Sequence, residues 1–126
     1  MVTQIHSDAV HKSTAPYSQG ISHGNMVYLA GQTADDVSGA TVGEDIETQT
    51  TQTLSNVEQL LLEAGSSLEN IVSATVYLTD MDELGGFNEA YEEFLPDPKP
   101  ARATVEVSDL PSSEALVEIQ VTAVIE

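Results

Sequence analysis

The chain has 126 residues, 40% of them hydrophobic, enough to bury one core and too many for a disordered segment. It contains no cysteine, which excludes disulfides, thiolate nucleophiles and cysteine-based zinc sites. Twenty-one acidic residues stand against three basic ones, a net charge of −18, so nucleic acid is a poor partner: phosphate binding needs Lys and Arg.

Residues 19–33, QGISHGNMVYLAGQT, place a short apolar run, Met26 to Ala30, behind the turn signal HGN, which reads as a hairpin with His23 in the turn. Residues 44–64 carry apolar or small side chains at Ile46, Thr50, Thr53, Val57, Leu60, Leu61 and Ala64, the three-and-four spacing of an amphipathic helix. Glu44 and Asp45 fall in its first turn and Gly65 is its stop. Residues 71–78, IVSATVYL, are β-branched and aromatic and predict a strand. Residues 83–95 put Leu84, Phe87, Tyr91, Phe94 and Leu95 on one side of a second helix that Pro96 and Pro98 end. Residues 102–108 form a strand, DLPSSEA turns, and residues 116–125 form the last strand. The order, two or three strands, then α–β–α–β–β, favours one α/β (α+β) domain over residues 1–126, with a mixed sheet and both helices on one face.

Side chains alternate along a strand. In the fifth predicted segment Ala103, Val105 and Val107 share one face, and Arg102, Thr104 and Glu106 the other. In the last, Val117, Ile119, Val121, Ala123 and Ile125 oppose Glu118, Gln120 and Thr122. The apolar faces are expected under the helices. A hairpin centred near Pro111 sets Thr104 opposite Glu118 and Arg102 opposite Gln120, with Arg102 and Glu118 diagonal neighbours about 7–8 Å apart. The expectation is therefore one polar patch of Arg102, Thr104 and Glu118.

No apolar run approaches the roughly 18 residues of a membrane span, and the N-terminus has no basic patch before an apolar stretch. A soluble cytoplasmic protein is expected, with no membrane partner. The acids recur along the whole chain, which points to a cytoplasm of very high salt, where screening removes self-repulsion. His6, His11 and His23 have no metal-ligand spacing, and no GxSxG, P-loop or strand-borne GxGxxG occurs. Chemistry here rests on positioning and electrostatics. Arg102 is the only arginine. Its plainer role is an ion pair with Glu118 or Glu106, worth little at a surface. Its functional role is bidentate capture of a small carboxylate, which lysine does less well. Glu118 is either a polar-face strand residue or a carboxylate that activates water. Thr104 reads as a cross-strand packing residue or a backbone donor at a ligand, Tyr17 as a buried anchor or part of a pocket wall, and Asn88, on the second helix, as an exposed asparagine, while Gly31, in LAGQT, permits close backbone approach.

APYSQG (15–20), NMVYLAGQT (25–33), the TxxxLxNVExLLxEAG pattern (50–65), IVSATVYLTDM (71–81), FNEAYEEF (87–94), PARATVEV (100–107) and VEIQVTAV (117–124) together resemble the RidA/YjgF family of reactive-intermediate deaminases over nearly the whole chain. The resemblance implies a chorismate-mutase-like subunit and a homotrimer with a central barrel and clefts between subunits. It also implies hydrolysis of short 2-imino acids, 2-iminopropanoate and 2-iminobutanoate, to 2-oxo acids and ammonia, without cofactor or metal. By the same resemblance Arg102 holds the substrate carboxylate and Glu118 positions the attacking water, while Tyr17, Gly31 and Asn88 match other pocket positions. Two positions depart from the family pattern: Ala30 replaces a frequent serine and Thr104 a frequent cysteine. Each is expected to keep a backbone N–H available for binding. The alternative function is a non-catalytic module that binds small 2-oxo acids through the same arginine.

Overall fold

The computed structural model describes residues 1–126. Six strands and two helices run in the order β1 (Thr3–Ile5), β2 (Gly20–His23), β3 (Met26–Leu29), α1 (Ile46–Glu63), β4 (Ile71–Leu78), α2 (Leu84–Phe94), β5 (Ala101–Glu106) and β6 (Val117–Val124). The strands form one mixed sheet in the order β1-β2-β3-β6-β4-β5. The β2–β3 hairpin closes on the pair His23 and Met26. Gly24 occupies the first of its two turn positions with φ +59°, the sign that a II′ turn requires there.

α1 begins two residues later than the first-turn acids suggest. Asp45 is its N-cap, and its carboxylate accepts a hydrogen bond from the Thr48 amide at 2.8 Å. Its inner face buries Ile46, Thr50, Thr53, Leu54, Val57, Leu60 and Leu61. The same face also buries two amides, Gln49 and Asn56, which act as struts. Gln49 donates to Gly43 and Glu114 carbonyls and accepts from the Leu116 amide, tying α1 to the segment that enters β6. Asn56 donates to the carbonyls of Thr33 and Asp35 and so fixes the segment after β3. α2 buries Phe87, Ala90 and Tyr91. Helices and sheet meet over Val76, Leu78, Val117, Ile119, Val121 and Ala123, all at most 3% exposed.

The pairing of β5 differs from the expected hairpin with β6. β4, α2 and β5 form a crossover unit, and β5 lies parallel to β4 with Arg102 beside Ala74 and Thr104 beside Val76. β6 pairs antiparallel on the other side of β4, with Val121 beside Ala74, Ile119 beside Val76 and Glu118 beside Tyr77. Residues paired across neighbouring strands point to the same face. Arg102 and Thr104 therefore lie on the helix side, in line with Val121 and Ile119, and Glu118 lies on the open side. The expected patch of Arg102, Thr104 and Glu118 does not exist within one chain. Ala103 and Val105 are likewise turned to the open face, where Val105 is exposed.

No Asp or Glu is among the buried residues, and only two side-chain ion pairs form, His6–Asp8 and Lys99–Asp97. Nearly all of the negative charge is therefore solvated and unpaired, and self-repulsion opposes the compact state. Raising KCl from about 0.1 M to about 1 M shortens the screening length roughly threefold. The thermal unfolding midpoint is expected to rise across that range; a flat or falling midpoint would show that this repulsion is not a term in the stability.

Candidate active site in two halves

Two depressions hold the chemistry-bearing residues, and they lie on different faces. The first, about 440 Å³, is lined by Asn88, Tyr91, Glu92, Asp97, Lys99 and Arg102, with Pro100. α2 supplies Asn88 and Tyr91, and the start of β5 supplies Arg102. Two of the chain's three basic residues are thus in one depression. Lys99 is committed: its ammonium donates to the Leu95 carbonyl at 2.7 Å and to Asp97 at 2.9 Å. Glu106 accepts from the Met81 amide at 2.7 Å. Arg102 has no carboxylate within ion-pair distance and makes no side-chain hydrogen bond to the protein. Its guanidinium carbon stands 5.0 Å from the Tyr91 ring centroid and 5.4 Å from that of Phe87. The structural ion pair with Glu118 or Glu106 is absent, and the Arg102 donors are left free, an arrangement able to receive an anion.

Around Arg102 three buried polar atoms have no partner in the chain: Asn88 Oδ1, Tyr91 Oη and Thr104 Oγ1. Burial raises the Tyr91 pKa above its ordinary value, and the Arg102 charge opposes part of that rise. Val107 donates its amide to the Leu78 carbonyl across the β4–β5 pair. By strand alternation the amides of Arg102 and Thr104 point off the open edge of the sheet. The Thr104 N–H is thus available, as expected. The Ala30 N–H is not: it donates to the Gln19 carbonyl at 2.9 Å, because Ala30 prolongs the β2–β3 ladder by one residue. Ala30 lines neither depression.

The second depression, about 220 Å³, gathers Tyr17, Gly31, Thr33, Asp35 and Glu118, with His11 at its rim. Two glutamines hold it, the buried Gln19 through its side-chain amide and the half-buried Gln32 through its backbone. Gln19 accepts from the Ser7 amide and donates to the Val10 carbonyl, fixing the segment that leads to Tyr17. Gln32 exchanges both backbone hydrogen bonds with Ile119, which lays Gly31 and Thr33 along Glu118. A Cβ on Gly31 would overlap Glu118 Oε2 and stand 2.9 Å from its Cδ, so the glycine is where the carboxylate rests. Burial pushes the Glu118 pKa up, with no positive group in the chain to counter it. No group of three or more His, Asp or Glu side chains is placed to hold a metal.

The sequence put the candidate residues in one site; within the chain Tyr17, Gly31 and Glu118 lie in one depression and Asn88 and Arg102 in the other, and the shared face expected for Arg102 and Glu118 is not formed. It missed Phe87 and Tyr91 as supports of Arg102, since their spacing reads as helix core, which they also are. Asp35 and Thr33 carried no signal, because the bend after β3 brings them in.

Residues 7–125 match the family described as Endoribonuclease L-PSP. A RutC family protein of Pyrococcus horikoshii is 42% identical over 120 residues, covering 94% of each chain. The crystal structure of RidA from an Antarctic Psychrobacter is similar with a TM-score of 0.92 and 33% identity, covering 98% of this chain and 99% of that one. E. coli TdcF with bound serine is similar with a TM-score of 0.92 and 30% identity over the same shares.

Replacing Gly31 by alanine moves only the end of a half-buried side chain, so the fold should persist while the Glu118 carboxylate swings into water. Its pKa, followed by carboxyl-carbon NMR, is expected to fall back towards the ordinary glutamate value in Gly31→Ala. An unchanged pKa would mean that the contact with Gly31 does not hold the carboxylate in its sheltered position.

Proposed function

The chain belongs to the Endoribonuclease L-PSP family, which is the YjgF/RidA family, and from that premise we propose that it hydrolyses short 2-imino acids at a site shared by two subunits. Membership supports an imine-deaminase type of activity at the level of the family. The observation that carries the finer reading is Arg102: the only arginine of a chain with 21 acids, unpaired, in a depression of small-ligand size. A carboxylate is the ligand that such a guanidinium fits. Serine bound to the TdcF relative accords with a site of this size for a small amino-acid-like carboxylate.

The opposite-face placement of Arg102 and Glu118 argues for a shared site. Within one chain β4 separates them; across a subunit boundary the Arg102 depression can face Glu118 of the partner subunit. The open face of the sheet carries exposed Tyr28, Val72 and Val105, apolar surface suited to a barrel of copies of this chain, and a homotrimer is the assembly we propose.

The chemistry needs only proton transfers and addition. Arg102 holds the carboxylate of the protonated imine and so fixes its C2 atom. Water adds to C2, one of its protons passes to Glu118, and the C=N electron pair moves onto nitrogen. Glu118 then returns the proton to nitrogen, the C–N bond breaks as the oxygen forms the C=O bond, and the departing ammonia takes up the hydroxyl proton. The products are a 2-oxo acid and ammonium. A carboxylate whose pKa is raised by burial suits this cycle, because it is a stronger proton acceptor than an ordinary one and can still return the proton. 2-Iminopropanoate and 2-iminobutanoate are the proposed substrates, with no cofactor. The family description names an endoribonuclease, but a net charge of −18 with a single arginine opposes an RNA backbone. A binding module without turnover uses the same arginine, and calorimetric binding of 2-oxobutanoate without imine hydrolysis is its signature.

An amino acid oxidase generating 2-iminopropanoate in high salt, with a trapping amine to report what survives, provides the assay. The protein should accelerate loss of the imine. A charge-assisted hydrogen bond is worth roughly 1.5–3 kcal/mol, so Arg102→Ala should lower kcat/KM at least tenfold. No acceleration, or full activity in Arg102→Ala, would rule the reading out.

A further inference from the structure

We propose that Phe87 and Tyr91 are positioning residues for Arg102: their rings carry its guanidinium from below and thereby leave its hydrogen-bonding edge free for the ligand. The proposal rests on the carboxylate-holding reading of Arg102 and adds how that residue is kept ready.

Phe87 and Tyr91 are four residues apart on α2, so one helical turn brings both rings to the same side. Their centroids are 5.2 Å apart with planes tilted by 37°. Arg102 Cζ sits 5.4 Å from one centroid and 5.0 Å from the other, inside the range for attraction between a cation and a ring face. An arginine is ordinarily held by carboxylates or carbonyls, and each such contact uses N–H donors. Here the aromatic contact stands with no Arg102 side-chain donor bonded to the protein, so the five donors remain free.

The neighbouring groups fit that arrangement. Asp97 is taken by Lys99, and Glu106 by the Met81 amide. Glu92 lines the same depression without pairing to Arg102. The cation therefore keeps its charge as well as its donors. The supports themselves are fixed, since Phe87 is fully buried and Tyr91 only 5% exposed. Burial keeps the Tyr91 phenol protonated at neutral pH, so the ring brings no negative charge to offset the arginine. The phenol oxygen has no hydrogen-bond partner in the chain, so it does not fix the ring, and Tyr91→Phe separates the ring face from the hydroxyl.

A chain with one arginine gives one arginine Nε–Hε correlation, which makes NMR a direct probe. In the parent protein the Arg102 side-chain protons should be displaced upfield by the two rings. Tyr91→Phe should keep that displacement and keep 2-oxobutanoate affinity within about twofold. Tyr91→Leu should lose most of it and weaken 2-oxobutanoate by up to roughly fivefold, the scale of an exposed contact of this type. Arg102 protons at random-coil positions in the parent would overturn the proposal without any variant having to fold. So would a Tyr91→Phe protein as impaired as Tyr91→Leu, which would assign the role to the hydroxyl. An upfield Arg102 in a protein that binds no 2-oxobutanoate would instead defeat the carboxylate reading and leave the platform standing.

Discussion

β4 lies between β5 and β6, and that single placement decides where every polar group of the sheet can act. The crossover through α2 makes β5 parallel to β4, so Arg102 faces the helices, where two aromatic rings meet it. The antiparallel pairing of β6 with β4 sends Glu118 to the opposite side, against Gly31. Neither residue has what it needs within the chain: Arg102 has no anion, and Glu118 has no cation. Each half is nevertheless well built. Gln49, Asn56 and Gln19 spend their buried amides on holding the surrounding loops, and Gly31 makes the space that Glu118 fills.

Charge distribution reinforces this reading. The chain leaves its acids in water and retains three basic side chains, two of them in one depression. Lys99 neutralises Asp97 and caps the end of α2 through the Leu95 carbonyl, so it serves the loop and not a ligand. Arg102 is the cation left over. On a surface this negative, an unpaired guanidinium is a local attraction for a small anion.

Much of the architecture was legible in the sequence because periodicity reports local structure. The apolar spacing from Ile46 to Leu61 and from Leu84 to Leu95 marks both helices, and HGN marks the hairpin. What periodicity does not carry is which strands are neighbours. β5 and β6 both alternate, and joining them by the short DLPSSEA turn satisfied every local rule. The error came from assigning the apolar residues of β5 to the core. Ala103 and Val105 instead face the open side of the sheet, and the β4–β5 register puts Arg102 on the helix side, over the Phe87 and Tyr91 rings. The candidate site residues were each named from the sequence, but as one site; their division into Tyr17, Gly31 and Glu118 on one side and Asn88 and Arg102 on the other needed the sheet order.

Whether the site is divided between subunits can be read from subunit mixing. Arg102→Ala and Glu118→Gln chains, each inactive alone, would be unfolded, mixed in equal amounts and refolded together. In the proposed cyclic assembly each cleft would take Arg102 from one chain and Glu118 from the next, so about a quarter of the clefts would regain both residues, and about a quarter of parental imine hydrolysis should return. If both residues served within one chain, every chain in the mixture would remain defective; no recovery of activity in correctly assembled mixed oligomers would contradict the account.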